Sequence, residues 1–512
     1  MIPQAEPSSV ETSTHPFDLL IVGGGINGVG IARDAAGRGL SVALCEQGDI
    51  SDSTSSASSK LIHGGLRYLE HFQFRLVREA LAEREILLRT AAHLVTPLRF
   101  VLPHAPQVRP TWKIRAGLFL YDFLSKDSSL PKSEPISFQP GWNGNALRPE
   151  YRQGFVYSDC LVDDARLVLL NARAAADLGA KVMVGTQCLQ ASIIGRTWRV
   201  TLRERATGNQ LVLHARALVN AAGPWTTQLA KCFQGWKSTA RIRLVKGSHI
   251  VVPRLHPGNH AYILQNDDGR VLFVIPYEES FSLIGTTEIA FGDPPGPITA
   301  SAEEAVYLCQ AVARFFNHSP SPRDIVWQYA GLRPLYDDSH SNPSAITRDY
   351  TIELQWVNSA APLLTVYGGK LTTYRRLAER VLGKLSSVWP GQGPPWTEST
   401  PLPGADLPPG GMPALISDLA LRYPNLPIPI LSAVARRHGT LAGEVLAGAD
   451  DPASLGEHFG AGLFAREVDY MIHNEWARTA EDLLWRRTKS GLQMGEEQRR
   501  TVSDYVARQV AL

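Results

Sequence analysis

The sequence predicts an α/β protein built on a doubly wound, mostly parallel sheet, with an antiparallel-sheet domain beside it and a helical C-terminal domain. Three observations carry this. The apolar run 19–22 turns through Gly23-Gly24-Gly25-Ile26-Asn27-Gly28 into a helical stretch 29–37, and a second strand, 41–45, then ends at Glu46. Residues 241–287 alternate in the strand period and are rich in β-branched side chains. From Pro413 onward the pattern is mostly helical.

Composition bounds the answer. A chain of 512 residues, 44% hydrophobic and 20% charged, is an ordinary globular mix of about three domains. This excludes a disordered chain, a collagen-like repeat and a small disulfide scaffold. Lys+Arg number 51 against 49 Asp+Glu, so no overall basic field points to nucleic acid. The five cysteines, Cys45, Cys160, Cys188, Cys232 and Cys309, form no CxxC, so no metal site or dithiol motif is expected, and a sparse odd set fits a reducing compartment. Residues 1–17 lack a basic or apolar signal pattern and read as a flexible polar leader. No run reaches the ~18 apolar residues of a spanning helix.

The elements follow in order. Residues 74–94 repeat apolar positions at helical spacing, with Glu85 four before Arg89, and 113–124 is a second amphipathic helix. Residues 126–149, rich in Pro, Ser and Gly, read as a long loop. A helix over 163–178 ends at Gly179, and strands are expected at 181–184, 189–194, 198–203 and 211–214, the last two joined by a turn at Thr207-Gly208-Asn209. A buried strand at 218–220 runs into Ala221-Ala222-Gly223-Pro224. Ser301 and Glu304 form a capping box for a helix over 301–317. Strands at 325–329, 345–354 and 363–367 lead to Gly368-Gly369-Lys370 and a helix through 385. The domain division is then a cofactor domain over 18–387 with an interleaved substrate part at 66–160 and 235–345, a Pro/Gly-rich linker at 388–411 and a helical domain at 412–512. No internal repeat is present.

Gly23-x-Gly25-x-x-Gly28 is a Rossmann-like dinucleotide fingerprint. Gly23 permits the tight turn, Gly25 lets backbone approach a pyrophosphate, Gly28 lets helix and strand pack, and the helix N-terminus offers free N–H groups and a partial positive charge. Glu46 stands where an acid accepts hydrogen bonds from a ribose diol. A glycine turn can also merely pack; the strand before it, the helix after it and the acid favour binding. A second glycine turn at 368–370 suggests a large cofactor held at both ends, and no second GxGxxG serves a nicotinamide, so FAD is expected. The serine run before Lys60, containing Ser55, Ser56 and Ser58, could be a flexible loop, but it leads directly into Leu61-Ile62-His63-Gly64-Gly65-Leu66-Arg67-Tyr68, which is not linker-like.

The runs SSASSKLIHGGLRYLEH, LVNAAGPW, LVKGSHIVVP, IGTTE, GLRPL, ITRDY and YGGKLTTYR, with EWARTAEDLLWRRTKSG near the end, closely resemble the FAD-dependent, aerobic glycerol-3-phosphate dehydrogenases of bacteria, which belong to the D-amino-acid-oxidase-like flavoproteins. The resemblance runs from about residue 18 to the C-terminal helices; the leader is longer than that family's pattern. It implies an FAD domain, a substrate domain on an antiparallel sheet and a helical cap. It also implies oxidation of sn-glycerol 3-phosphate at C2 to dihydroxyacetone phosphate. The cofactor positions it implies are Gly23, Gly24, Gly25, Asn27, Gly28, Glu46, Ser55, Ser56, Ser58, Lys60, His63, Gly368, Gly369, Lys370, Leu371 and Thr372, with Val184 on the strand that meets the adenine and Gly223 beneath the adenosine half.

The residues suit that chemistry. A phosphate dianion needs cations, preferably forked ones. Arg67 and Arg333 lie in glycine-rich surroundings where backbone can approach a ligand; the alternative for each is a surface ion pair. Lys370 can meet flavin or substrate, and Tyr68 and Thr286 supply hydroxyls. Removal of the C2 hydroxyl proton needs a base, and His249 is the candidate, against a structural histidine; His63, flanked by glycines, suggests a flavin contact. The pair Asp163-Asp164 at a helix start reads as structural. The catalytic set is therefore His249, Arg333, Arg67 and Lys370.

Residues 86–121 contain no acid and carry Arg89, Arg99, Arg109, Lys113 and Arg115 beside Leu98, Phe100, Val101, Leu102, Trp112, Leu118 and Phe119. Such a face can lie on an anionic membrane or be ordinary domain surface over core. The resemblance favours a monotopic protein on the cytoplasmic side of the cell membrane that passes electrons to a quinone, and leaves a homodimer open. An oxidase using O2, or a flavin-binding protein without turnover, are the other readings.

Overall fold

The structure is a computed structural model that describes residues 11–12, 15–104, 110–125, 127–139, 146–238, 240–336 and 349–511. Its first sheet runs Thr351–Val357, Ala361–Tyr367, Gln210–Asn220, Phe17–Val22, Val42–Glu46, Lys181–Val184 in spatial order, parallel throughout except for the first pair. The strands Ala361–Tyr367, Phe17–Val22 and Val42–Glu46 read as near-continuous apolar runs because both faces are covered. Leu19 and Ile21 pack against the helices Ile26–Gly37, Asp164–Asp177 and Tyr374–Lys384. Leu20 and Val22 face an antiparallel ribbon of Thr186–Ile194 and Thr197–Glu204, whose Trp198, Val200 and Leu202 are fully buried.

The second sheet runs Ile289–Phe291, Ile242–Pro253, Phe281–Gly285, Val271–Tyr277, Ala261–Gln265, Val95–Pro103, Gln153–Val162, Leu61–Ile62. Trp327–Tyr336 pairs along Ile242–Pro253. All pairings are antiparallel except that of Ala261–Gln265 with Val95–Pro103.

Several local expectations are corrected. The 126–149 loop contains a strand, Glu134–Ser137, on the edge of Gln153–Val162; a Pro is tolerated there because an edge strand needs only half its ladder. The separate strands expected at 211–214 and 218–220 are one, Gln210–Asn220. The helix expected over 74–94 ends at Thr90, and that over 301–317 spans Ala302–Ala313, with the Ser301–Glu304 capping box in place. The strand expected at 325–329 is Trp327–Tyr336. Within the leader, Glu11–Thr12 pairs in parallel with Leu211 and Val212.

The segment 388–411 is packed on the first sheet: Trp389, Leu402 and Ala405 are buried in its core, and the Trp396 indole N–H donates to Asp34 O at 3.1 Å. Beyond it lie helices Gly411–Arg422, Ile428–His438, Ala465–Asn474 and Glu496–Ala511, plus a small hairpin, His458–Gly460 with Leu463–Phe464, that the sequence pattern did not suggest. A buried network ties this domain to the helix Asp164–Asp177. Arg166 donates to Glu475 at 2.6 Å, and His438 meets Glu467 at 2.8 Å.

Candidate active site

The fingerprint glycines stand where their chemistry requires. A Cβ on Gly23, whose φ is +118°, would fall 2.4 Å from Ala221 O, and one on Gly28 would fall 1.9 Å from Gly23 O. At Gly25 the nearest atom to a Cβ is the Ser55 hydroxyl at 3.1 Å, so its outer face is open for a ligand. Ser55 accepts from the Ile26 N–H at 3.0 Å, at the start of the helix. The Glu46 carboxylate accepts from Gly24 N–H at 2.6 Å and Gly48 N–H at 2.8 Å. Burial pushes its pKa up, and these two donors oppose that. Each oxygen keeps a second lone pair for a ribose hydroxyl. Val184 pairs in register with Glu46, and Gly223, at φ +55°, has open space where a Cβ would be.

The second glycine turn lies against the first. Asn27 donates to Gly368 O at 3.0 Å, its buried Oδ1 has no hydrogen-bond partner among the described residues, and a Cβ on Gly369 would strike its amide at 2.9 Å. The turn continues into Leu371–Thr373, and the Thr372 hydroxyl accepts from His63 N–H at 3.3 Å. Two glycine turns brought together by Asn27, with the half-buried Glu46 beside the first and open space at Gly25 and Gly223, fit an extended dinucleotide.

The serine loop is less available. Ser58 donates to Asp164 at 2.7 Å, and the buried Lys60 Nζ lies 2.8 Å from the same carboxylate. Ser56 bonds locally to Ser53 O. Asp163 caps the helix by accepting from Arg166 N–H at 3.1 Å, as its structural reading requires. The loop itself packs on the substrate sheet: Thr54 donates to Leu332 O at 2.6 Å, and a Cβ on Gly331 would meet Ala57 at 2.9 Å.

On the substrate side, Arg333 donates to the Thr286 hydroxyl at 3.0 Å. Arg333 Nη1 lies 3.5 Å from Glu288 Oε1, and Arg67 Nη1 lies 3.7 Å from Glu288 Oε2. Lys370 Nζ stands 3.7 Å over the ring of Tyr68. His249 is flanked in register by Gly285 and Tyr329. Its ring stacks on Tyr329 at 4.9 Å and 17°, and its Nε2 lies 2.9 Å from the Ser59 hydroxyl. Burial, then Arg333 and Lys60, hold His249 well below the usual imidazole pKa, which favours its neutral form. Its buried Nδ1 has no hydrogen-bond partner among the described residues. Sequence reasoning missed Glu288, Ser59 and Tyr329; IGTTE contained the first, but nothing local showed that it would face two distant arginines.

These features define a flavoprotein oxidoreductase site. The family description "FAD dependent oxidoreductase" fits residues 18–375, and that of the "C-terminal domain of alpha-glycerophosphate oxidase" fits residues 395–511. The chain belongs to the FAD-dependent oxidoreductases and, within them, to the glycerol-3-phosphate dehydrogenase family; its cofactor is FAD.

It is 52% identical over 490 residues to the glycerol-3-phosphate dehydrogenase of Pseudomonas aeruginosa, covering 96% of this chain and 95% of that one. It is 48% identical to the aerobic glycerol-3-phosphate dehydrogenase of Escherichia coli, over 96% of this chain and 97% of the other, and 46% identical to the D-erythritol 1-phosphate dehydrogenase of Brucella abortus, over 94% and 96%. The solved glycerol-3-phosphate dehydrogenase of Bacillus halodurans complexed with FAD superposes with a TM-score of 0.73 at 26% identity, covering 97% of this chain and 95% of that one.

Proposed function

We propose that this protein oxidises sn-glycerol 3-phosphate at C2 to dihydroxyacetone phosphate and passes the electrons to a membrane quinone. The observation that carries the reading is the convergence of Arg67, Arg333 and the Thr286 hydroxyl beside a neutral His249 with an unpartnered buried nitrogen. FAD, when bound, supplies the hydride acceptor. Arg67 and Arg333 take the phosphate, with the forked geometry that fixes both charge and orientation. Tyr68 and Thr286 donate to or accept from the polyol hydroxyls. Nδ1 of His249 removes the C2 hydroxyl proton as the hydride leaves carbon. Lys370 adds positive charge between the second glycine turn and Tyr68. The names of the relatives support a polyol phosphate bearing a secondary alcohol as the substrate class.

Membrane contact is part of the same reading, because a quinone resides in lipid while the substrate is soluble. No helix among the described residues is long and apolar enough to cross a bilayer. The helix Thr111–Leu124 exposes Trp112, Phe119 and Phe123 beside Lys113 and Arg115, which suits a monotopic surface on the cytoplasmic leaflet. An oxidase is the second reading, favoured by the alpha-glycerophosphate oxidase description of the C-terminal domain.

Anaerobic addition of glycerol 3-phosphate should bleach the flavin absorbance stoichiometrically; a spectrum unchanged by this substrate sinks the proposal. Under air, little hydrogen peroxide should form until the quinone analogue is withheld. Peroxide equal to substrate consumed, with a quinone present, selects the oxidase.

A further inference from the structure

His249 is the inner end of a column of rings that begins in the C-terminal domain. Trp485 stacks on Trp327 with centroids 4.8 Å apart and planes 20° from parallel. Trp327 leans on Tyr329 at 4.9 Å and 44°, and Tyr329 stacks on His249 at 4.9 Å and 17°. The far face of the imidazole is closed by backbone: a Cβ on Gly285 would fall 2.1 Å from the ring. The column therefore sets how deep His249 sits, while Ser59 at Nε2 sets its rotation.

The outer end is held equally firmly. A Cβ on Gly491 would meet the Trp485 ring at 2.9 Å, and the Arg499 guanidinium lies 5.2 Å from its centroid. The residues just after Trp485 anchor its segment to the cofactor domain: Arg487 donates to Asp49 Oδ1 at 2.7 Å, and Lys489 pairs with Asp163. The Tyr329 hydroxyl donates to Ser58 O at 2.8 Å, so the middle of the column is tied to the serine loop.

We infer that Trp485 is a positioning residue for His249: through Trp327 and Tyr329 it presses the imidazole into the pose in which Nδ1 meets the substrate hydroxyl. This rests on the reading of His249 as the base. The C-terminal domain thereby takes part in the chemistry without touching the substrate. A displaced base slows proton removal with little effect on phosphate binding, because neither arginine is one of the stacked groups, although Arg333 shares the strand Trp327–Tyr336. Misplacement of about 1 Å can cost about a hundredfold in rate.

The test is a double-mutant cycle read by anaerobic flavin reduction in the FAD-loaded full-length protein. Trp485→Leu keeps apolar bulk and removes the flat ring; Trp485→Phe keeps a ring. Trp485→Leu should slow the limiting reduction rate about 10- to 100-fold, with the apparent substrate affinity and FAD content unchanged, and Trp485→Phe should recover most of the loss. In a His249→Ala background, itself slowed about 10²–10⁴-fold, Trp485→Leu should add less than about twofold, because residues acting through one group are not additive. Trp327→Leu should reproduce the Trp485→Leu result if the latter folds poorly. Equal losses with and without His249, a fast Trp485→Leu enzyme, or a loss confined to affinity would each overturn the inference alone. A fast His249→Ala enzyme would instead remove the base assignment, and the inference with it.

Discussion

Arg67 and Arg333 reach one carboxylate from different parts of the fold. Glu288 offers Oε1 to Arg333 at 3.5 Å and Oε2 to Arg67 at 3.7 Å, although Arg67 sits on the short helical turn Leu66–His71 and Arg333 on the strand Trp327–Tyr336. Glu288 thus keeps two guanidinium groups close together without substrate, and it repels any anion that enters between them. A like charge at about 4 Å costs about 4 kcal/mol at an effective dielectric of 20, and partial exposure of the arginines reduces this. Glu288→Gln should therefore tighten inhibition by inorganic phosphate about tenfold or more while FAD content is unchanged. Phosphate inhibition equal to that of the parent protein would show that Glu288 does not compete for this site.

Arg333 also donates to Thr286, so its loss removes both a charge and the partner that orients a hydroxyl. Removing one member of a desolvated charge pair costs about 2–5 kcal/mol. Arg333→Ala should lower kcat/KM for glycerol 3-phosphate by about 30-fold or more and lower any turnover of plain glycerol by a much smaller factor. Parallel losses on the two substrates would place the phosphate elsewhere.

Much of this site was legible in the sequence because its chemistry is written in contiguous residues. Gly23, Gly25, Gly28 and Glu46 occupy one strand–turn–helix–strand unit, whose backbone demands glycine at fixed places. The Ser301–Glu304 box was legible for the same reason. The facing partners were not. Lys60 looked available for a pyrophosphate, but Asp164 from a helix far along the chain neutralises it. Leu98, Phe100, Val101 and Leu102 looked like part of a membrane face. These four side chains are buried in the substrate domain, because the helices Phe74–Thr90 and Thr111–Leu124 on one face of the sheet and Ala302–Ala313 on the other supply the cover that local composition does not show. Glu134–Ser137 escaped notice because its strand character comes from pairing with Gln153–Val162, not from its own composition.

The clamp between Arg487 and Asp49 gives a prediction about cofactor retention. Asp49 accepts from both Arg486 and Arg487, and the latter side chain is 1% exposed. Two residues later, Ser51 N–H donates to Gly24 O at 3.2 Å, inside the fingerprint turn. Removing one partner of a buried pair costs about 3–5 kcal/mol, chiefly by stranding the other charge. Asp49→Asn should lower the thermal midpoint, and FAD should elute from the protein during gel filtration. Added free FAD should restore part of the lost midpoint, because a ligand that binds only the folded state stabilises it by mass action. A variant that melts lower yet retains all its flavin would separate the clamp from the cofactor site.

The membrane reading depends on one helix rather than on the whole basic stretch 86–121. In Thr111–Leu124, Ile114, Leu118 and Tyr121 face inward, while Trp112, Phe119 and Phe123 are 71%, 73% and 64% exposed. Their spacing puts the three outward rings on a single face, flanked by the exposed Lys113 and Arg115. Phe72, 79% exposed, directly follows the turn Leu66–His71 that packs against this helix. Arg99 is spent on Glu134, Ser158 and backbone carbonyls, and Arg109 lies outside the described residues. Exposed aromatic area of this kind inserts at the headgroup boundary, and each nearby cation adds about 1 kcal/mol on an anionic leaflet. Trp112→Ser, Phe119→Ser and Phe123→Ser together should abolish co-sedimentation with anionic vesicles. Lys113→Glu with Arg115→Glu should weaken it in a salt-sensitive way, because only the electrostatic part is screened. In both variants activity with a soluble dye should survive and activity with a lipid-borne quinone should fall. Undiminished vesicle binding by the triple serine variant would move the membrane contact to another surface.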